Sequence, residues 1–373
     1  MLLHRLLAAA ATVVAIAGFS TGLAGAVAER TAQASASTHA ITVRGRPFFP
    51  VMLIDQCSRG AASRARSLGV NLIINESCGV LAPGRQLMRI QGALLGVLPI
   101  HARRAVKGRA LVGWTYPDEP ENNGWTPARL QRAQPYARGS DDGLLSFVTT
   151  SAGFFHKPYR DTRVAPLVYR RFAQLADVAG FDLYPLGHCS NDLTAVYDAQ
   201  RAFVRLAGAM PTFQWIETGP IRPTYCGGFQ MSPAQLRAEV WLAIAGGARG
   251  IGYFTHTWSP NHSAFDVSLK LQRTIKKTSD LLAAVRPGLL GSTVLSGANS
   301  GNIKVVARRS GDRVYVFAVN AQPSQMVAQV RVPRLGDGRL QVFGEKRSTT
   351  VRDHRFIDTW KPLAVHVYVQ RGR

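Results

Sequence analysis

The sequence predicts an α/β fold of the (β/α)8 type, a TIM barrel, carrying a C-terminal antiparallel β-sandwich. Three observations predict it. Eight short apolar runs between Phe48 and His256 alternate with amphipathic stretches, the pattern of successive βα units on a parallel sheet. After Pro287-Gly288 the helical period disappears and short β-prone runs separated by turn residues take over. The length of 373 residues accommodates a barrel of about 250 residues with a small second domain.

The strands are predicted in order over 49–55, 71–76, 95–101, 110–116, 144–150, 178–184, 212–217 and 250–255. Helices are expected over 61–68, 192–207, 233–245 and 267–285, the third opened by Ser232-Pro233 at the N-cap and first helical position. Those after the second, third and fifth strands are weakly marked. An open doubly wound sheet is the rival, but it usually carries a Gly-rich phosphate turn after its first strand. Here that strand ends in Asp55-Gln56-Cys57. The later runs, 303–307, 314–320, 327–332, 340–343 and 364–369, make up the sandwich. The expected division is a signal peptide and disordered segment over 1–36, the barrel over 41–287 and the sandwich over 288–373.

The first residues suggest export. Met1–Arg5 is a short basic start, Leu6–Gly18 an apolar run, and Ala26-Val27-Ala28 and Ala34-Ser35-Ala36 both fit an A-x-A cleavage site. The run is shorter than the roughly 20 apolar residues of a membrane span, so no span is expected once the signal is removed. A retained N-terminal anchor is the alternative. Four cysteines, Cys57, Cys78, Cys189 and Cys226, suggest two disulfides in an exported chain. Four allow three pairings. Cys57 with Cys78 and Cys189 with Cys226 are favoured, because each would join adjacent loops. No pair has metal-ligand spacing, and neither metal nor cofactor is expected. The net charge of +23, from 45 Lys+Arg against 22 Asp+Glu, could draw an acidic polymer to a basic surface. The positive charge is scattered and lacks interleaved aromatics, so no specific nucleic-acid partner is expected.

In a barrel, chemistry sits at the C-terminal ends of the strands. Two carboxylates stand out there: Glu119, just past the fourth strand, and Glu217, closing the seventh. Glycosidic cleavage needs one protonated carboxyl for the leaving oxygen and one ionised carboxylate for the anomeric carbon or a water. Strands four and seven lie on opposite sides of the mouth, so these two end residues are expected to face each other. A serine-hydrolase elbow and an H-E-x-x-H helix are not found.

Residues 42–285 resemble glycoside hydrolase clan A, the retaining barrel glycosidases. The carriers are Gly45-Arg46-Pro47-Phe48-Phe49-Pro50, Leu68-Gly69-Val70-Asn71 and Trp114-x-x-x-Asp118-Glu119-Pro120. With them go Gly180-Phe181-Asp182-Leu183-Tyr184-Pro185, Gln214-Trp215-Ile216-Glu217, Glu239-Val240-Trp241 and Gly247-Ala248-Arg249-Gly250-Ile251. The resemblance implies Glu119 as acid/base, Glu217 as nucleophile, and a secreted enzyme acting on a polysaccharide or glycoconjugate. It departs from the clan at Asp118, where an Asn commonly bonds the sugar 2-hydroxyl. By the same geometry Tyr184 is expected to hydrogen-bond the nucleophile, Trp258 to floor a sugar ring and His256 to make a polar contact. Asp182 is read as structural or as a group supporting the site, and Asp55 and Glu76 as substrate contacts or, by preference, members of barrel-mouth salt bridges. Trp114 and Trp215, inside strands, are read as core or as subsite walls. The alternative functions are a non-catalytic barrel binding carbohydrate or anionic polymer, and transglycosylation by the same acid/base pair.

Overall fold

The computed structural model of the chain describes residues 34–37, 40–56, 58–76, 94–99, 110–133, 143–155, 159–219, 226, 229–254, 267–300 and 302–372. Eight parallel strands close into a barrel: β4 (Val51–Ile54), β5 (Leu72–Ile74), β6 (Leu95–Pro99), β7 (Leu111–Thr115), β8 (Leu145–Ser151), β9 (Val178–Asp182), β10 (Thr212–Glu217) and β11 (Gly250–Phe254). Each lies within a residue or two of its expected position. The ring is sealed where β11 pairs with β4, Ile251 opposite Val51.

Around it lie α1 (Arg59–Ser67), α2 (Pro127–Ala133), α3 (Pro166–Leu175), α4 (Thr194–Ala207), α5 (Pro233–Gly246), α6 (Leu269–Ala284) and the short α7 (Arg286–Leu290). α1 hands over to β5 through Gly69, whose φ of +84° lies in the left-handed region that suits glycine. Asn71 then ties the strands together. Its amide donates to the Phe49 carbonyl at 3.0 Å and accepts from the Val51 N–H at 2.9 Å. α5 begins with the expected cap, completed as a capping box in which Ser232 and Gln235 exchange hydrogen bonds. Residues 238–246 of α5 are all buried, because this helix is covered by the barrel on one side and by the C-terminal domain on the other.

Two apolar layers result. Met52, Leu72, Ile74, Val97, Val112, Leu145, Phe147, Phe213 and Trp215 fill the barrel interior. Trp114 and Trp215 are both core residues, at 2% and 1% exposure. Ala34, Ile41 and Val43 join the interior layer from a small antiparallel sheet, β1 (Ala34–Ser37), β2 (Ala40–Val43) and β3 (Arg46–Phe48), which precedes the first barrel strand. Ala34, assigned from sequence to a disordered leader, is buried, and its N–H donates to the Gly143 carbonyl at 2.6 Å. Regular structure is therefore present from residue 34.

The C-terminal domain is antiparallel, as expected, with two sheets. One has the order β12-β13-β14-β19-β16-β17: β12 (Ser292–Ser300), β13 (Ile303–Ser310), β14 (Arg313–Asn320), β16 (Gly338–Val342), β17 (Ser348–Val351) and β19 (Val365–Arg371). The other pairs β15 (Met326–Arg331) with β18 (Arg355–Trp360). Their own core includes Val305, Val316, Val330, Val342, Phe356, Trp360 and Tyr368. The domain is welded to the barrel. Trp241 of α5 stacks on Phe317 of β14 with centroids 5.5 Å apart. The fully buried Arg308 donates to the Leu289 carbonyl at 2.6 Å and the Ala248 carbonyl at 3.0 Å.

Candidate active site

At the C-terminal mouth, the β7 end supplies the first carboxyl groups. Pro117 follows the strand, and Asp118-Glu119 turn across the barrel rim. Glu119 adopts φ +38°, a backbone region that non-glycine residues seldom occupy. Its N–H donates to the Thr149 carbonyl of β8 at 3.1 Å, and its Oε2 accepts from the Asn122 amide at 2.8 Å. The Asn123 amide fixes the Asp118 carbonyl at 2.7 Å. The acid loop is thus anchored from both sides.

The β9 end supplies Asp182, and the two meet on a cleft of about 610 Å³ lined by Asp118, Glu119, Asn122, Asp182, Tyr184 and Phe254, with Tyr159, Arg160, Arg163 and His188 further round. Asp182 Oδ1 is buried without a hydrogen-bond partner. Burial first, then the charges of Asp118, Glu119 and Glu76, push the Asp182 carboxyl well above the usual carboxylate range. Asp118 keeps solvent contact on its outer side. Partial burial in the mouth first, then the neighbouring Glu119 and Glu121 carboxylates, raise it to about 7. Glu76, beyond β5, is raised in the same way, by burial and then by Asp118, Asp55 and Glu119. Asp55 Oδ1 accepts the Glu76 N–H at 2.7 Å. Glu76, expected in a salt bridge, thus has acidic neighbours that hold its carboxyl above the usual carboxylate range.

Glu217 has a different setting from the carboxylates of the cleft. It closes β10 but is fully buried, and it is not among the described residues lining the cleft. Its Oε1 accepts from the Leu186 N–H at 2.8 Å and its Oε2 from the Gly187 N–H at 2.7 Å. The segment that supplies these amides is a 3-10 turn, Leu186–His188, following Tyr184-Pro185. Cys189 at its end is disulfide-bonded to Cys226, as expected. The strap therefore lies over Glu217 because its backbone donors need that carboxylate. Tyr184 does not supply the expected hydrogen bond: its hydroxyl is buried with no partner, and its ring stacks on Phe254 at 5.1 Å.

What lies against Glu217 is Glu239 of α5, a residue that the sequence reading placed in a motif but gave no role. Burial, followed by the adjacent Glu217 charge and a hydrogen bond to it, pushes the Glu239 carboxyl well above the usual range. Burial raises Glu217 to about 7, opposed by the Leu186 and Gly187 amides and by the Glu239 hydrogen bond. Both Glu239 oxygens are buried with no other hydrogen-bond partner, so a proton held on Glu239 has Glu217 as its acceptor. The linkage follows. An acid held protonated in the fold but ionised in the unfolded chain makes the unfolded state bind fewer protons, so stability falls as pH rises above the ordinary value of 4.5. The wild-type Tm is expected to fall as pH rises from about 5 through the Glu217 value of about 7. Glu239→Gln, whose amide can also donate, should flatten that slope and raise Tm at the upper end by about 2–4 °C. An unchanged slope would mean that Glu239 is ionised in the fold.

His256, Trp258, Cys57 and Cys78 lie outside the described residues, and with them the two expected rim contacts and one expected disulfide.

With this geometry in place, the comparisons define the class of fold. No protein-family model matches the chain, and no curated protein matches it. Among solved structures it is similar to an α-amylase from Anoxybacillus, at 8% identity and TM-score 0.60, over 87% of this chain and 98% of that one. It is also similar to a glycoside hydrolase family 5 protein from Bacteroides vulgatus, at 10% identity and TM-score 0.59, over 91% and 93%. A third is the Geobacillus thermoleovorans α-amylase, at 10% identity and TM-score 0.58, over 87% and 98%. The chain has the barrel-plus-C-terminal-domain fold of these glycoside hydrolases. At such identities the likeness is one of fold.

Proposed function

We propose that the chain is a secreted glycoside hydrolase, cleaving O-glycosidic bonds of a polysaccharide or glycoconjugate at the mouth of its barrel. The observation that carries this reading is the convergence of Asp118, Glu119 and Asp182 on one open cleft at the catalytic end of a barrel. The fold shared with glycoside hydrolases supports it. Asp182, kept protonated by burial and by its acidic neighbours, is the proton donor to the leaving oxygen. Glu119, oriented by Asn122, is the carboxylate that attacks the anomeric carbon or activates water. Tyr184 and Phe254 present aromatic surface to the sugar ring. In this reading Glu119 takes the nucleophile or base role instead of the acid/base role expected of it, and Asp182 takes the acid role, with Glu217 in neither. Retention or inversion is then decided by the anomer that NMR detects first in the product.

The test is release of reducing ends from a broad panel of polysaccharides and aryl glycosides. Cleavage of any member supports the reading. Binding of a polymer without cleavage would overturn it in favour of a carbohydrate-binding barrel. Export is the second part of the proposal. Cleavage after Ala36 would cut through β1, whereas cleavage after Ala28 leaves that strand whole. N-terminal sequencing of the exported protein is therefore expected to begin at Glu29, and a start at Ser37 would contradict the role given to β1.

A further inference from the structure

Besides its carboxyl groups, the cleft is lined by cationic and imidazole side chains that hydrolysis of a neutral sugar does not use. Arg163 is neutralised in place: its Nε and Nη2 reach the two Asp161 carboxylate oxygens at 3.0 and 2.9 Å. Arg160, on the same cleft, is exposed and makes no ion pair among the described residues. His188 donates from Nδ1 to the Tyr184 carbonyl at 2.8 Å, leaving Nε2 available. Tyr184 also lines the cleft, with its hydroxyl buried and without a hydrogen-bond partner.

A guanidinium with free donors in a concave site matches the planar or trigonal oxygens of a carboxylate or sulfate ester, which it can grip with two hydrogen bonds. The acidic wall would repel such a group if every carboxyl were ionised. Asp118, Asp182 and Glu76 all hold protons more tightly than usual, so the local negative charge is smaller than the number of acids suggests. At longer range the net charge of +23 attracts polyanions.

Resting on the glycosidase reading, we propose that the substrate is an acidic glycan, whose sugar beside the cleaved bond bears an anionic group received by Arg160. Carboxylate and sulfate ester share this chemistry, and paired substrates separate them. The wild type is assayed on alginate, pectate and hyaluronan beside their carboxyl-reduced forms, and on chondroitin sulfate and carrageenan beside their desulfated forms. The expected result is a kcat/KM at least about tenfold higher on the anionic member of one pair, carried in KM and weakening with salt. Arg160→Gln should remove that preference and Arg160→Lys restore part of it. Equal cleavage of anionic and neutral members, or a preference untouched by Arg160→Gln, overturns the inference and leaves the glycosidase reading standing. If no polymer is cut, that reading fails, and the same pairs are titrated by calorimetry. Binding of the anionic member that weakens at least about tenfold in Arg160→Gln would still support an anionic subsite. No binding, or equal binding by the variant, would overturn it.

Discussion

Asp182→Asn and Glu119→Gln are each expected to lower kcat by roughly 10²–10⁴ on a polysaccharide substrate, with little change in Tm. Both substitutions keep the side-chain shape and remove the ionisable group. The two losses should differ in kind. An aryl glycoside with an acidic leaving group needs little protonation, so Asp182→Asn should retain far more activity on it than on a polymer. Glu119→Gln should lose both, because the anomeric carbon still needs its carboxylate or activated water. The wild-type pH profile carries the same information. The carboxyls of the mouth titrate as a group, with Asp118 at about 7 and Asp182 and Glu76 above the ordinary range. Activity that depends on the Asp182 proton should therefore fall at a pH above the ordinary carboxylate range, and Asp118→Asn, by removing one of the repelling charges, should move that limb to lower pH. Wild-type rates in both Asp182→Asn and Glu119→Gln would place the chemistry elsewhere.

The barrel was legible because its strands are buried on both faces and read as continuous apolar runs with gaps long enough for crossovers. Val51–Ile54 and Val178–Asp182 are of this kind, and Thr212–Glu217 matched to the residue. β12, β17 and β18 went unread for the opposite reason. Ser292–Ser300 is rich in small and polar residues, Ser348–Val351 is mostly polar, and Arg355–Trp360 alternates exposed and buried positions at a sheet edge. β1 was hidden by its Ala-Ser composition, which also fits a cleavage site. In the site, strand-end position found Asp118, Glu119 and Tyr184, but position cannot report accessibility. That Glu217 is covered depends on two backbone amides from a neighbouring loop, and amides carry no side-chain signature. Asp182, read as structural or supporting, reaches the cleft. Its signal was its place at a strand end, the same one that singled out Glu217. Glu239 becomes informative only when α5 is docked behind β10.

Glu217→Ala is expected to cost about 2–6 kcal/mol of stability, because it strands two buried amide donors, each worth about 1–3 kcal/mol. The Leu186 and Gly187 N–H groups have no solvent to turn to beneath a strap whose far end is held by Cys189–Cys226. Glu239 would also lose the acceptor for its proton. Glu217→Gln repairs only part of this. Its carbonyl oxygen can receive one amide, but its NH₂ group then faces the other, donor against donor. The two roles open to Glu217 therefore separate in a pair of measurements. A positioning carboxylate that holds the strap, and through it Tyr184, loses Tm in both variants and keeps most of its kcat when assayed well below that Tm. A nucleophile behaves in the reverse way: Glu217→Gln would fold with a nearly unchanged Tm and lose roughly 10³-fold or more in kcat. The hydrogen bonds favour the first outcome, since each Glu217 oxygen is held by a buried backbone amide beneath the strap and the side chain does not line the cleft.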